Sequence, residues 1–256
     1  MTDIAIVDYG MGNLRSVSKA LEHVAPQASI VVTSDPDILR GAGRVVVPGQ
    51  GAMPDCLREL DARGLRGAVL EAAAGKPFLG ICIGLQMLFE RSEEGDIPGL
   101  GILPGRVRRF AAPAKTDADG YRLKVPHMGW NQVRQTLDHP LWQGIPGDAR
   151  FYFVHSYYVE TADTESVAAC SAYPLAFTCA VARDNIFAVQ FHPEKSHEAG
   201  LTLLRNFVCW APRSYTNGRI RNLSAQDAAS DSILLNSDPT CSSFPQSTSK
   251  MASAYA

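Results

Sequence analysis

The sequence predicts an α/β protein with an open, mostly parallel sheet flanked by helices and an antiparallel extension in its second half. The first part alternates β-branched runs with helical patterns, the strands at residues 4–8, 29–33, 45–47 and 78–81 and the helices at 13–24 and 54–74. Such alternation is typical of parallel strands joined by covering helices. The second part favours hairpins, because only short polar segments separate its strand-like runs, at 105–110, 151–158, 166–171, 178–182 and 186–191.

A final amphipathic pattern at residues 196–210 predicts a closing helix with one apolar face, formed by Leu201, Leu204, Phe207 and Val208. The chain has 256 residues, 46% hydrophobic and 20% charged, which is enough for one substantial core. We therefore assign residues 1–211 to one domain, with a variable loop at 111–124. Residues 212–256 are rich in serine and lack periodicity, so we predict a low-complexity, disordered tail without a part in catalysis.

Composition and charge exclude several classes of function. The formal net charge of -2 provides no basic face, so we expect no nucleic-acid partner. The N-terminal residues lack a basic region and a cleavage site, and no apolar run is long enough for a bilayer, so we expect neither a signal peptide nor a membrane span. The six cysteines are scattered without a C-x-x-C pair, which argues against a metal or disulfide framework and favours a reducing cytoplasm.

The most informative segment surrounds Cys82, where an apolar strand pattern passes directly into a helical one. Gly80 and Gly84 lie two positions on either side, as in the cysteine counterpart of a G-x-S-x-G nucleophile elbow. A helix N-terminus favours thiolate, and the next backbone N–H can donate to an oxyanion. The alternative is a small apolar side chain packed under a buried turn, because free cysteines are common in cores.

A second strand-like run ends in His192, Pro193 and Glu194. A thiol nucleophile needs a base, and the base needs an acceptor that fixes its tautomer. If the two strands are parallel neighbours, His192 can reach Cys82, and Glu194 faces the same side as His192 in an extended segment. A lone histidine is more often structural, but an elbow cysteine together with this strand end predicts a catalytic triad.

Two glycine-rich turns follow earlier strands. Residues 10–15 (GMGNLR) resemble a dinucleotide fingerprint, with Asp35 as a ribose-binding acid, but Arg15 replaces the third glycine, so a tight turn capped by Asn13 is the better interpretation. Residues 48–51 (PGQG) form a second turn, whose amides can complete an oxyanion hole beside an elbow.

Two further segments, at residues 126–131 (PHMGWN) and 151–158 (FYFVHSYY), are crowded with aromatic and histidine side chains. Most aromatic residues in strands pack in a core, while some belong to interfaces. The histidine spacings match no helical zinc pair, so we expect no metal.

Residues 80–86 (GICIGLQ) and 190–194 (QFHPE) together resemble the two signatures of the class I, or triad-type, glutamine amidotransferases. Three further segments, at 8–16, 126–131 and 154–158, resemble the branch of this family that forms the glutaminase subunits of imidazole glycerol phosphate synthase in histidine biosynthesis. Other branches usually carry Gly-His-Gln after the nucleophile, where this chain has Gly84-Leu85-Gln86. The match runs from about residue 3 to 210 and excludes the tail.

The resemblance implies a flavodoxin-like sheet and a triad of Cys82, His192 and Glu194 that hydrolyses glutamine without a cofactor. The positions that match the family's substrate-binding residues are Gly49, Gln50, Gly51, Ile83, Gln86, Glu94, Ser156 and Tyr157. Among them, residues 49–51 and the Ile83 N–H match the oxyanion hole, although the family often has a small apolar residue in place of Gln50.

The resemblance also implies a heterodimer with a separate (β/α)₈-barrel cyclase subunit. The positions that match the partner-facing residues are Asn13, Arg15, Trp130, Tyr152 and Lys195. Two other classes stay open on the sequence: a free-standing cysteine hydrolase or peptidase of the same fold, and a non-catalytic interaction subunit.

Overall fold

A computed structural model of the protein describes residues 2–111, 124–173 and 175–212. Its first half alternates strands and helices, as the sequence predicts. The elements in chain order are β1 (Ile4–Val7), α1 (Leu14–Val24), β2 (Ile30–Thr33), α2 (Pro36–Gly41), β3 (Arg44–Gly49), α3 (Met53–Ala62), α4 (Arg66–Gly75), β4 (Phe78–Cys82) and α5 (Ile83–Gln86).

The second half is mostly strands, closed by one long helix. The elements are β5 (Phe89–Ser92), β6 (Ile97–Pro98), β7 (Leu103–Arg109), β8 (His127–Gln132), β9 (Arg134–Gln135), β10 (Arg150–His155), β11 (Tyr157–Thr161), β12 (Val167–Ala172), β13 (Ala176–Arg183), β14 (Ile186–Val189) and α6 (His197–Cys209). Short 3₁₀ turns lie at Pro140–Trp142, Thr164–Ser166 and Pro193–Lys195.

The central sheet runs in the order β2-β1-β3-β4-β14-β13-β11-β7-β5-β6. Its first five strands are parallel, and β13, β11 and β7 continue it in antiparallel pairing. The predicted flavodoxin-like sheet with an antiparallel extension is therefore confirmed. Strands β8 and β10 form a separate antiparallel ribbon.

The core lies on both faces of the parallel strands. Every residue of β1, β4 and β14 is buried, because helices cover each face of a parallel sheet. Helix α6 buries Leu203, Leu204 and Phe207, while Leu201 and Val208 are half-buried at the edge of the same face. This packing fixes the carboxyl ends of β3, β4 and β14, where ligands bind in sheets of this kind.

Several predicted elements differ in extent. The helix expected at 54–74 is two helices, because Gly64 adopts a left-handed φ of 68° after α3 and breaks the backbone path. The strand expected at 151–158 is also two, since the chain leaves the β8–β10 ribbon at Ser156 and enters the central sheet as β11. The sequence patterns missed α2, β5, β6, β8 and β9 altogether.

Other expectations fall at the limits of the described chain. The variable loop at 111–124 lies almost entirely outside the described residues, as does the tail at 212–256 apart from Pro212. No helix in the described ranges combines the length and apolar character that a bilayer span needs. Cys56, Cys82, Cys179 and Cys209 are free thiols, whereas Cys170 is disulfide-bonded, which the scattered cysteine spacing does not predict.

Candidate active site

Cys82 lies at the sharp junction of β4 and α5 with a φ of 56° and a ψ of -108°. A non-glycine residue in this region carries about 1–3 kcal/mol of backbone strain, which persists only where the surrounding structure enforces it. The flanking glycines allow the turn: a Cβ on Gly84 would lie 1.9 Å from the Val47 carbonyl oxygen, and one on Gly80 would lie 2.8 Å from the Gly84 oxygen. The predicted elbow geometry is present.

The helix after the elbow is shorter than the sequence pattern indicates. Helix α5 is a single turn, Ile83–Gln86, and the chain then turns toward β5. Because a helix dipole sums over aligned peptides, one turn contributes only a small field at Cys82. Stabilisation of a thiolate therefore depends on neighbouring side chains and amides more than the sequence predicts.

His192 reaches the elbow through strand register. Strand β14 pairs in parallel with β4, with Val189 opposite Ile81, so the chain beyond Val189 runs beside Cys82. The imidazole Nδ1 lies 2.8 Å from Glu194 Oε1, and the two side chains are only 3% and 1% exposed. Residues 193–195 form a 3₁₀ turn, so the extended segment expected there is wrong, although the turn still brings the carboxylate to the imidazole.

The buried charges around His192 set its protonation. Burial by itself lowers the pKa of His192, but the neighbouring Cys82 and the Glu194 carboxylate outweigh it and raise the pKa to about 10. The imidazole is therefore protonated at neutral pH. Its Nε2 atom is buried and has no hydrogen-bond partner among the described residues, so the proton on Nε2 is not held by another protein group.

A third polar side chain at the elbow, Gln190, was not identified from the sequence. It is fully buried, and its Nε2 donates to Cys82 Sγ at 3.7 Å. The sequence does contain one signal for it. Side chains alternate along an extended backbone, so Gln190, two residues before His192, faces the same side as His192.

Cys82 opens onto a cavity of about 440 Å³ at the carboxyl ends of the parallel strands. The wall of this cavity brings together most of the predicted catalytic and substrate-binding residues: Gln50, Gly51, Cys82, Ile83, Gln86, Glu94, Ser156, Tyr157 and His192. Gly49 is not on the wall; a Cβ there would lie 2.6 Å from Ile83 Cβ, so this glycine allows close packing behind the elbow.

Two wall residues present polar groups suited to a small ligand. Gln86 donates through Nε2 to the Tyr157 carbonyl at 3.1 Å and to Gln190 Oε1 at 3.0 Å, while its own Oε1 is buried without a partner in the described part of the chain. Glu94 is half-buried and accepts from the Met53 N–H at 2.7 Å. Burial raises the pKa of this carboxyl.

The turn at residues 48–51 is held from behind by two buried groups. Tyr9 donates its hydroxyl to the Pro48 carbonyl at 2.5 Å, and the Cys56 thiol donates to the Gln50 carbonyl at 3.3 Å. Burial raises the pKa of both side chains, that of Cys56 to about 11, so both stay protonated and act as donors. The turn beside the elbow is thus fixed through its carbonyl oxygens.

A pair of buried histidines, His155 on the cavity wall and His127 beside it, supports this part of the site. His127 Nδ1 and His155 Nε2 are 2.9 Å apart, and His155 Nδ1 lies 2.7 Å from the Tyr157 carbonyl oxygen. Burial lowers the pKa of His127 to about 4 and of His155 to about 3, so both imidazoles are neutral at pH 7. Their hydrogen bonds fix the backbone of Tyr157, which also accepts from Gln86.

The residues predicted to face a partner lie around the turn at residues 193–195, which contacts both β10 and α1. Trp130 is 37% exposed, stacks on His197 and packs edge-on against Tyr152, and Lys195 Nζ lies 5.9 Å from the centre of the Tyr152 ring. Asn13 and exposed Arg15 begin helix α1, which contacts the 3₁₀ turn at residues 193–195. Asn13 makes no side-chain capping bond, so the predicted cap is wrong.

The turn at residues 10–15 lacks the free acidic side chain that a ribose-binding site would need from Asp35. Asp35, the candidate ribose ligand, instead caps helix α2 by accepting from the Asp37 N–H at 2.8 Å. Across the described ranges, no three His, Cys, Asp or Glu side chains are grouped as metal ligands.

Comparison with known proteins places this geometry in a family. The model of glutamine amidotransferase class-I matches residues 5–210. Among similar proteins are imidazole glycerol phosphate synthase subunits HisH from Nitrosospira multiformis, 74% identical, and Nitrosomonas europaea, 66% identical; each alignment covers 83% of this chain and 100% of the relative.

Solved structures resemble it in fold. A putative GMP synthase protein from Thermoplasma acidophilum has a TM-score of 0.59 at 20% identity, covering 82% of this chain and 93% of its own. PurLQS from Thermotoga maritima also has a TM-score of 0.59, at 19% identity, covering 82% and 99%. With the family match and the close relatives together, the chain belongs to the class I glutamine amidotransferases, in the branch of the HisH subunits of imidazole glycerol phosphate synthase.

Proposed function

We propose that this protein hydrolyses glutamine to glutamate and ammonia through a Cys82–His192–Glu194 triad, as the glutaminase subunit of an imidazole glycerol phosphate synthase in histidine biosynthesis. The observation that carries the proposal is the parallel pairing of β14 with β4, which brings His192 to the strained cysteine. The 2.8 Å contact between His192 and Glu194 supplies the orienting acceptor that such a base requires.

The reaction begins with attack of the Cys82 thiolate on the side-chain carboxamide carbon of glutamine. Backbone amides hold the resulting oxyanion, one from Ile83 and one from the turn at residues 49–51, each worth on the order of 3 kcal/mol. Protonated His192 gives its proton to the departing nitrogen, which releases ammonia and leaves a glutamyl thioester. Neutral His192 then takes a proton from water, the hydroxide attacks the thioester, and glutamate leaves as the thiolate re-forms.

The cavity wall suits the rest of the substrate. Gln86 Oε1, a buried acceptor without a partner in the described residues, is available to an N–H group of glutamine. The carboxylate of Glu94 complements the substrate's α-ammonium group by charge. Ser156 and Tyr157 also line the cavity.

We further propose a heterodimer with a separate (β/α)₈-barrel cyclase, in the cytoplasm. The barrel would take the ammonia directly and use it on a phosphoribosyl formimino intermediate, yielding imidazole glycerol phosphate and an aminoimidazole carboxamide ribotide. The docking face is the surface around Trp130, Tyr152 and Lys195, together with Asn13 and Arg15 at the start of α1. Trp130 stays partly exposed and packs against Tyr152, and both residue types are enriched at protein interfaces.

The test measures glutamate release by the full chain with and without the barrel subunit and its ligand. Activity that rises on addition of the barrel supports the proposal, whereas equal activity alone and an open range of amide substrates would favour a free-standing hydrolase. Cys82→Ala should abolish glutamine-dependent synthesis and spare synthesis from added ammonium. If Cys82→Ala keeps its glutaminase activity, the triad is wrong, and a wild-type complex without glutaminase activity would favour an interaction subunit.

A further inference from the structure

Gln190 occupies a position beside the nucleophile that the triad chemistry does not use. It follows β14 by one residue, so the β4–β14 register sets it beside Cys82, and its backbone N–H donates to the Cys179 carbonyl at 2.8 Å. Its side chain is 0% exposed. A buried carboxamide is costly to desolvate, so the partners that satisfy it decide what it does.

The orientation of this carboxamide is set by its neighbours. Gln190 Oε1 accepts from Gln86 Nε2 at 3.0 Å, which turns the Gln190 amino group toward Cys82 Sγ at 3.7 Å. Gln86 is fixed in turn, because the same Nε2 donates to the Tyr157 carbonyl at 3.1 Å. A continuous line of hydrogen bonds therefore joins the cavity wall at Tyr157 to the sulfur.

We propose that Gln190 is a positioning residue for the nucleophile: it donates to Cys82 Sγ, holds that side chain toward the cavity, and links it to the substrate-facing Gln86. This inference rests on the proposed role of Cys82 as nucleophile. An N–H donor favours a charged sulfur over a neutral one, because a hydrogen bond to an ionised acceptor is stronger. With only one helical turn behind Cys82, this donor compensates for the weak field of α5.

The experiment measures the rate at which iodoacetamide alkylates Cys82 in the full-length chain between pH 5 and 10, by mass spectrometry of the peptide that contains it. Gln190→Met removes the donor and keeps the side-chain length, and Gln190→Glu places an acceptor in its position. Exposed Cys209 is an internal control in every sample, because its rate has no reason to change.

We expect the pH profile of alkylation at Cys82 to move up by about one unit in Gln190→Met, so that the rate falls about tenfold on the rising, low-pH part of the profile. The shift should be larger in Gln190→Glu. With glutamine as substrate, kcat should fall in Gln190→Met while KM changes less than about twofold. A loss of folded protein would also lower the apparent kcat, so the readout that distinguishes the two is the shifted alkylation profile of Cys82 beside an unchanged rate at Cys209.

Profiles for both variants that coincide with the wild-type profile, with Cys209 unchanged, would overturn the inference. If the Gln190 variants do not fold, Gln86→Met tests the same line from its other end: it frees the Gln190 carboxamide to rotate, and a smaller shift in the same direction is expected, while no shift refutes the role. Glutaminase activity retained by Cys82→Ala would instead refute the proposed function itself.

Discussion

Gly84→Ala tests whether the elbow depends on a close approach between two backbones. A Cβ at this position would lie 1.9 Å from the Val47 carbonyl oxygen, whereas real Cβ contacts stay above 3.0 Å. Strand β3 and the elbow would therefore have to separate by about 1.1 Å, the difference between those two distances. Neither side can relieve the contact by rotating a side chain, because Val47 contributes its main chain.

The expected cost follows from this contact. Overpacking of a core typically costs about 1–3 kcal/mol, and a clash with backbone belongs at the upper end. For a domain of this size, about 3 kcal/mol corresponds to a fall in Tm of roughly 6–12 °C. Because β3 leads directly into the turn at residues 49–51, we also expect kcat to fall about a hundredfold, as a 1 Å misplacement of catalytic groups can do.

The assay combines thermal unfolding by circular dichroism with glutamine hydrolysis in the presence of the barrel subunit. The matched control is Gly67→Ala in helix α4, where a Cβ meets nothing within 4 Å. We expect this control to keep full activity and to be stabilised by up to about 1 kcal/mol. A Gly84→Ala variant with the Tm and kcat of Gly67→Ala would refute the account of the elbow.

Three more changes test other parts of the site. Burial lowers the pKa values of His127 and His155 to about 4 and 3, so below pH 6.5 the unfolded chain binds more protons than the folded one. The free energy of unfolding should therefore fall as the pH falls, by about 2 kcal/mol for each histidine between pH 7 and 5. Urea unfolding at both pH values should show this loss, reduced in His127→Asn, and an equal pH dependence in that variant contradicts it. Tyr9→Phe removes the donor to the Pro48 carbonyl, so we expect about 1 kcal/mol lower stability by urea unfolding and a roughly tenfold lower kcat; an unchanged kcat would show that the turn needs no tether. Glu194→Gln replaces the orienting carboxylate, and we expect kcat to fall about a thousandfold. Because the carboxylate helps to raise the pKa of His192, the high-pH limb of the pH–rate profile should also move to lower pH. A profile like that of the wild type argues against the triad.

The sequence indicates where Cys82 and His192 lie because the signals for both are local. A thiol between two glycines can be recognised from a few consecutive residues. A histidine that directly follows an apolar strand of a parallel sheet must lie at the carboxyl edge of that sheet. By contrast, Gln86 and Glu94 are found only through resemblance. Their positions depend on which loops face the cavity, and no periodicity reports that.

The parts that were missed depend on long-range contacts. Gln190 has the residue type and spacing of many structural glutamines, and only the pairing of β14 with β4 places it at the sulfur. The ribbon of β8 and β10 was hidden because its aromatic residues fit a core as well as a strand. Helix α5 is short because the chain turns into β5 after Gln86. The apolar residues continue past this turn, so the sequence pattern does not show where the helix ends.

The pairing of β14 with β4 also limits which changes of length the chain can accept. Since Gln190 and His192 point toward Cys82 by alternation, deleting or inserting a single residue in β14 would turn both away and present their neighbours instead. Substitutions in these two strands change the site by degrees, whereas the insertion or deletion of one residue removes the alignment altogether. The connecting loops can lengthen without this effect. Anyone grafting this site onto another parallel sheet would have to copy an alignment between two strands, and only secondarily a set of side chains.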